Sequence, residues 1–529
     1  MSDAIPAPGS AEEAATFAAL QAELPGMYER LASDIDRSHA VVIVPSISLD
    51  PRQAGRILGV NHYEERLLFF LMLLRDPRTH VIFCTSESID AGICDYFLNL
   101  LSGVPYTHAR ARLHLFSCDD ASGTPLTEKL LARPRLLAKI RRTISMCDES
   151  DLVCFNSTPT ERSLSVELGV PLHGNDPDLY DMGTKSGCRE IFREANVPIP
   201  AGFERLRDVD DIAKALAELK AATPELERAV VKLNDGFSGE GNALFRYDGI
   251  DTASGSSLAA EIARRLPTGL EYATDAESWE GFSHEFRTGG GVVEEFIEGE
   301  MKLSPSMQGR VGVDGSVEAV STHDQVLGGD TGQVFEGCLF PASPDYRLEI
   351  QELGMRVADV LAERGARGRF GVDFVTVPRG DRIEHNAIEI NLRKGGTTHP
   401  FLTLRMLTNG TYDNDTGTFH TPTGVERVYV ASDNLISPSY CSLGVGDLME
   451  IALAHELHYD AAAQTGVVFH LMGALSEFGK LGYVAIGGDR GEAEAIAARL
   501  RLVLDAETKP GIDYNRPEHH GPRDLAPLL

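Results

Sequence analysis

Gly371-Val-Asp373-Phe-Val-Thr-Val377 is followed, after a polar turn at Pro378 to Arg382, by Ala387-Ile-Glu389-Ile-Asn391-Leu-Arg393-Lys-Gly395-Gly396-Thr397-Thr398-His399-Pro400. Both halves are apolar, β-branched runs, and together they predict two strands joined as a hairpin. Successive strand side chains point to opposite faces, so Glu389, Asn391 and Arg393 share one face while Ile388, Ile390 and Leu392 make the other apolar. Asp373 on the partner strand can meet them. Two carboxylates and an amide oxygen form a hard oxygen cluster suited to Mg²⁺, which takes few protein ligands and completes its shell with water and phosphate. Arg393 would then face the same polyphosphate or a developing oxyanion. A solvated polar stripe on an antiparallel hairpin is the plainer alternative, and these residues alone leave both open.

Upstream, Val230-Val-Lys232-Leu-Asn-Asp-Gly236-Phe-Ser238-Gly239-Glu-Gly241-Asn242 reads as a strand ending in a lysine, a glycine loop, and a second strand from Ala243. Glycines let successive backbone N–H groups converge into a nest the size of a phosphate, with Lys232 as a point charge beside it. It is not a Walker loop, because no GKS or GKT occurs and a strand follows. A plain hairpin loop is the competing reading. Gly291-Val-Val-Glu294-Glu295-Phe296-Ile297-Glu-Gly-Glu300 is an apolar strand that breaks at Gly299. Its end can offer backbone groups and an apolar face to an adenine, with Glu298 or Glu300 for ribose hydroxyls. Read alone, an edge strand with solvated glutamates is the plainer reading.

Toward the N-terminus, Val41–Val44, Val81–Cys84, Leu113–Phe116 and Leu152–Phe155 read as strands. Helical stretches at Tyr63–Arg75 and Thr127–Thr143 alternate with them, which predicts a parallel α/β sheet. The run Leu67–Leu74 is too short to span a bilayer and reads as a buried helix. His173–Asp178 is turn-rich and closes this region near residue 175. A long helix is expected at Leu348–Arg364. Thr411–Thr423 is polar and reads as a linker or mobile loop. A last α/β-like region follows, with helices at 446–456 and 491–504 and strands at 427–431, 466–471 and 482–486. His455-Glu-Leu-His458 lacks the spacing of a metalloprotease motif and reads as a partly buried helical pair.

Length allows three or four domains. Lys plus Arg number 49 against 79 Asp plus Glu, a net charge of −30. Such a surface repels nucleic acid and anionic membranes, so an anionic substrate requires a locally basic or metal-loaded site. None of the eight cysteines forms a CxxC pair, which points to a reduced, disulfide-free intracellular protein. The Ala-rich, acidic N-terminus has no basic region and is not a signal peptide.

Taken in order, these segments resemble the ATP-grasp superfamily. Asp181-Met-Gly-Thr-Lys185, then Ile191–Glu194 and Val197-Pro-Ile-Pro200, extend the likeness upstream, so that it covers roughly 175–405. Asn61-His-Tyr-Glu-Glu-Arg66, Gly183-Thr-Lys-Ser-Gly187 and the 389–400 segment are similar to pheganomycin-type peptide ligases. The resemblance implies an ATP-grasp α/β fold: a pre-ATP-grasp parallel α/β domain over 1–175, the ATP-grasp domain with its lid over 176–410, and a C-terminal α/β extension over 411–529. It implies an ADP-forming ligase, working in the cytoplasm in secondary-metabolite biosynthesis, that activates a carboxylate as an acylphosphate and joins it to an amine or peptide. Its cofactors would be ATP and Mg²⁺, with Mn²⁺ as the substitute ion.

Carried over, ATP would be held by Lys185, Lys232, Gly236, Ser238, Gly239, Gly241, Asn242, Glu294, Glu295, Phe296, Ile297 and Glu300. Asp373, Glu389 and Asn391 would hold the metal. Arg393 and Arg369 would stabilise transferring charge, because Thr322-His-Asp-Gln-Val326 offers only His323 and Gln325 where many ligases carry another cation. Gly395, Gly396, Thr397, Thr398 and His399 are the candidate substrate contacts. A homodimer is among the assemblies this reading allows. A phosphotransferase and a nucleotide-binding module without turnover are the alternatives.

Overall fold

A computed structural model of the chain describes residues 5–48, 55, 57–236, 241–250, 258–273, 277–328 and 334–509. The first four strands, β1 (His39–Val44), β2 (Thr79–Thr85), β3 (Leu113–Ser117) and β4 (Glu149–Cys154), form a parallel sheet in the order β3-β2-β1-β4. Alternation along β1 sends Val41 and Ile43 into one core and Ala40, Val42 and Val44 into another. Both faces are therefore covered, which is why the strand is apolar throughout rather than at every second residue.

Two helices depart from expectation in form. Val60–Arg75 is wound as a 3₁₀ helix, started by Gly59 at φ 71°. Residues three apart eclipse in such a helix, and Arg66 accordingly lies over the Tyr63 ring at 4.5 Å. The stretch expected as one helix over Thr127–Thr143 is two, Leu126–Leu131 and Pro134–Ile144. Pro134 has no N–H to continue the first helix, but it suits the first turn of the second.

The second sheet is antiparallel: β5 (Gly202–Leu206), β6 (Arg228–Leu233), β7 (Asn242–Arg246), β8 (Leu270–Tyr272) and β9 (Gly291–Glu295), in the order β5-β9-β6-β7-β8. Leu216, Phe245, Phe282 and Phe286 pack between it and its helices. The third sheet contains β10 (Pro305–Val311), β11 (Val317–Gly328), β12 (Val334–Phe340), β13 (Gly368–Arg379) and β14 (Arg382–Asn391). The helix expected at Leu348–Arg364 is Arg347–Glu363, and its Val357 and Leu361 pack in one core with Met307, Phe370 and Val372.

Thr411–Thr423 is not a loose linker. It carries a small hairpin, β15 (Thr411–Asp413) with β16 (Thr418–His420). Phe419 is fully buried, its ring centre 5.9 Å from that of Phe401 and 6.2 Å from that of Phe340. Gln351 Nε2 donates to Asn414 O at 2.8 Å, and Arg347 Nε donates to Thr416 O at 2.9 Å. One aromatic anchor and two side-chain clamps turn a polar sequence into a docked element.

The last strands are β17 (Val428–Ile436), β18 (Gly466–His470) and β19 (Lys480–Gly487). They continue the third sheet, whose order is β14-β13-β10-β11-β12-β17-β19-β18. Val467, Phe469 and Leu481 share one core with Leu67, Phe69 and Val81 of the N-terminal region. His455 caps the helix Val445–Ala454 and contacts Glu507, whereas His458 is exposed beyond its end; they are not a helical pair. All eight cysteines are unpaired. No helix among the described residues is long and apolar enough to cross a membrane.

Candidate active site

A cavity of about 1150 Å³ is lined by residues of the second and third sheets and of the N-terminal region. The β13–β14 register sets Asp373 directly opposite Glu389 and Gly371 opposite Asn391. Asn391 Nδ2 donates to Asp373 Oδ2 at 2.8 Å, and Gln325 Nε2 donates to Asp373 Oδ1 at 2.7 Å. Lys185 forms an ion pair with Glu389. Burial and the neighbouring Glu389 charge push the Asp373 carboxyl up to about 7. Burial opposes the Glu389 charge, but Lys185 foremost, with Arg393 and Lys232, holds its carboxyl below the ordinary value. Two carboxylates and an amide that converge under mutual repulsion fit a divalent cation, which would neutralise them.

Lys185 opens the helix Lys185–Glu194, capped by Thr184, which accepts from Gly187 N. Lys232, at the end of β6, pairs with Glu294 Oε2 at 2.5 Å. Arg189 holds the other oxygen of the same carboxylate at 2.5 Å. Glu294 is almost fully buried, yet these cations keep its carboxyl below the usual range despite burial. Gly241 has φ 78° and accepts from Leu233 N, and Asn242 beyond it lines the cavity. Gly236 is described and lies off the cavity wall, whereas Ser238 and Gly239 fall outside the described residues.

Glu295, Phe296 and Ile297 line the cavity, but Glu300 is exposed and off its wall. The Glu295 N–H is already spent on Ala201 O, and its Oε1 accepts from Ala201 N, each at 2.8 Å. The Phe296 ring is covered by Arg228 at 4.0 Å and Lys302 at 3.9 Å. Lys302 and Arg228 are wall residues that no sequence motif marks, and Gln325, rather than His323, is the residue of its strand that reaches the wall.

Arg393 lies on the wall, its guanidinium 5.8 Å from the centre of the Phe155 ring; burial draws it below its ordinary value while Glu389 opposes. Arg369 is not brought there. It sits opposite Arg310 in the β10–β13 register, off the cavity wall, and burial pushes it down to about 10. His323 is not available either: it is buried against the Tyr429 hydroxyl at 2.7 Å. Of the expected substrate loop, Gly395, Gly396 and Thr397 reach the cavity. A Cβ on Gly396 would meet Phe335 Cε1 at 2.6 Å, so a side chain there would displace the wall. Thr398 Oγ1 accepts from Gly395 N at 2.9 Å, and His399 turns away to Asp433 and His470.

Against known proteins, the family model described as IQCH-like, ATP-grasp matches residues 178–255 and 252–415, and the PGM1 C-terminal domain matches 447–500. The chain is 30% identical over 477 residues to the L-propargylglycine–L-glutamate ligase of Streptantibioticus cattleyicolor, covering 89% of this chain and 95% of that protein. The chain belongs to the ATP-grasp carboxylate–amine ligases. This ligase is also 22% identical over 478 residues to IQ motif-containing protein H of Danio rerio, which covers 82% of this chain but only 45% of that protein. In fold it is similar to a biotin carboxylase from Campylobacter jejuni, with a TM-score of 0.52 at 12% identity, covering 89% and 91% of the two chains. The enzyme is ATP-dependent and ADP-forming.

Proposed function

We propose that the ligase binds ATP across β6, β9 and the Gly236–Asn242 loop, and aligns an amino-acid carboxylate with it at the Asp373–Glu389–Asn391 face. One observation supports this reading above the rest: two carboxylates, an amide and Arg393 lie along one hairpin, with Lys185 paired to Glu389. Mg²⁺, when bound, supplies charge neutralisation on the phosphates, and Mn²⁺, with similar oxygen preferences, is the substitute ion.

The residues of the chain do the positioning. Asp373, Glu389 and Asn391 would hold the metal, Lys185 and Lys232 the α- and β-phosphates, and the backbone beside Ile297 the adenine. Arg393 would face the carboxylate oxygen that takes the γ-phosphoryl group. The amine then attacks the acyl carbon, phosphate leaves, and the nitrogen loses one proton. Such transfers need alignment and charge neutralisation rather than covalent help. Arg393 is also placed to stabilise the oxyanion formed at the acyl carbon.

The substrates we infer are two amino acids, in keeping with the L-propargylglycine–L-glutamate ligase of Streptantibioticus cattleyicolor to which the chain is similar. We assign 1–175, 176–410 and 411–529 to the pre-ATP-grasp, ATP-grasp and C-terminal parts, the last sharing its sheet with the second. Eight unpaired thiols support a cytoplasmic setting. The test incubates the enzyme with ATP, Mg²⁺ and all pairs of the common L-amino acids. ADP, phosphate and a dipeptide should form together. AMP with pyrophosphate, or a stable phosphorylated acid made without amine, would refute the reading.

A further inference from the structure

The cavity has a second cationic wall that the phosphoryl chemistry does not use. Arg66 lines it and is 5% exposed. Its guanidinium lies over two rings, 4.5 Å from the centre of Tyr63 and 4.8 Å from that of Phe155. Nη1 donates to Asp433 Oδ2 at 3.1 Å. Nε and Nη2 have no hydrogen-bond partner among the described residues. Those two N–H groups point the same way from a planar group, and leaving both unmet in a buried setting is costly. The partner that meets both at once is the pair of oxygens of a carboxylate.

The rest of the wall fixes this edge. Two aromatic rings against the guanidinium restrict how it can tilt. Asp433 Oδ1 lies 2.7 Å from His470 Nε2 and 3.2 Å from His399 Nε2, so the carboxylate that anchors Arg66 is itself anchored. Despite burial, the histidines and Arg66 keep Asp433 well below the usual carboxylate range, and it stays charged. Its one negative charge is shared with a crowd of positive groups. Lys480 Nζ sits 2.8 Å from the Tyr63 hydroxyl, and Arg393 faces the Phe155 ring that also stacks on Arg66.

We propose that Arg66 is the receptor for a carboxylate that the reaction does not consume, the free carboxylate of an amino-acid substrate. The assignment rests on the ligase reading for its kinetic consequence only. A carboxylate gripped through both oxygens is a stabilised ground state and a poor nucleophile, so the fork does not suit the group that must attack phosphorus. It suits a handle that orients the rest of the molecule. Asp433, His399 and His470 act through Arg66 and are positioning residues.

The test pairs binding with kinetics. Calorimetry is run on the wild type, Arg66→Lys and Arg66→Gln with each common L-amino acid and its α-carboxamide. For at least one amino acid the wild type should prefer the acid by on the order of 100-fold, the size expected when a buried charge partner is removed, and both variants should lose that preference. Arg66→Lys keeps a charge beside Asp433, so its unfolding temperature guards against a folding defect. In turnover, the KM for that amino acid should rise far more than kcat falls, with the ATP KM little changed. Asp433→Asn should give a smaller rise of the same kind. The proposal is overturned if acid and carboxamide bind the wild type alike, if no member of the panel binds, or if Arg66→Gln keeps the preference. Absence of ADP formation by the wild type would instead strike the ligase reading, while the calorimetry still reports on Arg66.

Discussion

Gly187→Ala tests how tightly Lys185 is placed. A Cβ at Gly187 would sit 1.9 Å from Asp181 O, 2.8 Å from Asp181 C and 3.2 Å from Met182 Cα. All three are backbone atoms, so no side chain can swing aside. Separations under 3.0 Å essentially do not occur, and the gap must therefore open by about 1 Å. Asp181 O is also pinned by Thr184 N at 3.1 Å and Thr184 Oγ1 at 2.8 Å, the residue that caps the helix carrying Lys185. Either the 177–183 turn or the helix has to yield. Overpacking of a rigid backbone together with a lost hydrogen bond costs about 3 kcal/mol. For a chain of 529 residues the unfolding temperature should fall by roughly 3 °C. With Lys185 serving the phosphates as proposed above, displacing it by about 1 Å should lower kcat/KM for ATP on the order of 100-fold. Differential scanning fluorimetry and ADP release measure the two effects. A variant with wild-type unfolding temperature and wild-type ATP kinetics would show that Lys185 is not held through this turn.

Asp373→Asn and Glu389→Gln should each reduce ADP release on the order of 1000-fold while leaving the unfolding temperature within a few degrees; activity within tenfold of wild type would remove them from the metal site. Phe419→Ala should destabilise by about 4 kcal/mol, because the ring is fully buried, and a loss below about 1 kcal/mol would return 411–423 to a loose segment. Glu64 is buried, accepts from Ser86 N at 2.7 Å and Ser86 Oγ at 2.6 Å, and is pushed up to about 7, chiefly by burial. A raised folded-state value means that its contribution is intact below the unfolded value of 4.5 and is lost as pH rises through about 7. Wild type should therefore lose about 3 kcal/mol relative to Glu64→Gln between pH 4.5 and 8, read by urea denaturation, and parallel profiles for the two proteins would contradict this.

The hairpin that carries Asp373, Glu389, Asn391 and Arg393 was legible because everything it needs is local. A period of two sorts oxygen ligands from apolar neighbours, and one turn brings the facing strand into register. The neighbouring strand shows where that legibility stops. His323 and Gln325 are two residues apart and read alike, yet one meets Tyr429 and the other Asp373. Which one serves depends on what lies across the sheet. Arg369 failed similarly: it is on the strand of Asp373, but its neighbours are Arg310 and Arg405 rather than the cavity. The 411–423 segment was misread because a single buried ring, Phe419, outweighs its polar composition.

Arg66 shows the deeper limit. Its segment reads as a helix over Tyr63–Arg75, and although Asn61–Arg66 is one of the stretches that carry the family resemblance, nothing in it shows what Arg66 faces. Asp433, which anchors it, lies 367 residues away, and Phe155, which stacks on it, belongs to a different strand region. A divalent ion needs only a few ligands within a few ångströms, so one hairpin suffices. A substrate must be enclosed from several directions, so its walls come from chain segments that only the completed fold assembles. The charge balance carries the same lesson. A chain with net charge −30 sets Lys232, Lys302, Arg66, Arg228 and Arg393 around one cavity, among the carboxylates of Glu294, Asp373, Glu389 and Asp433. The acidic exterior repels polyanions at large, while the cavity offers cations of the kind that phosphate and carboxylate groups of small molecules require. Substitutions at Arg66 should thus raise the KM for the amino acid whose carboxylate it holds, whereas substitutions at Arg393 should slow the reaction with every amino acid alike.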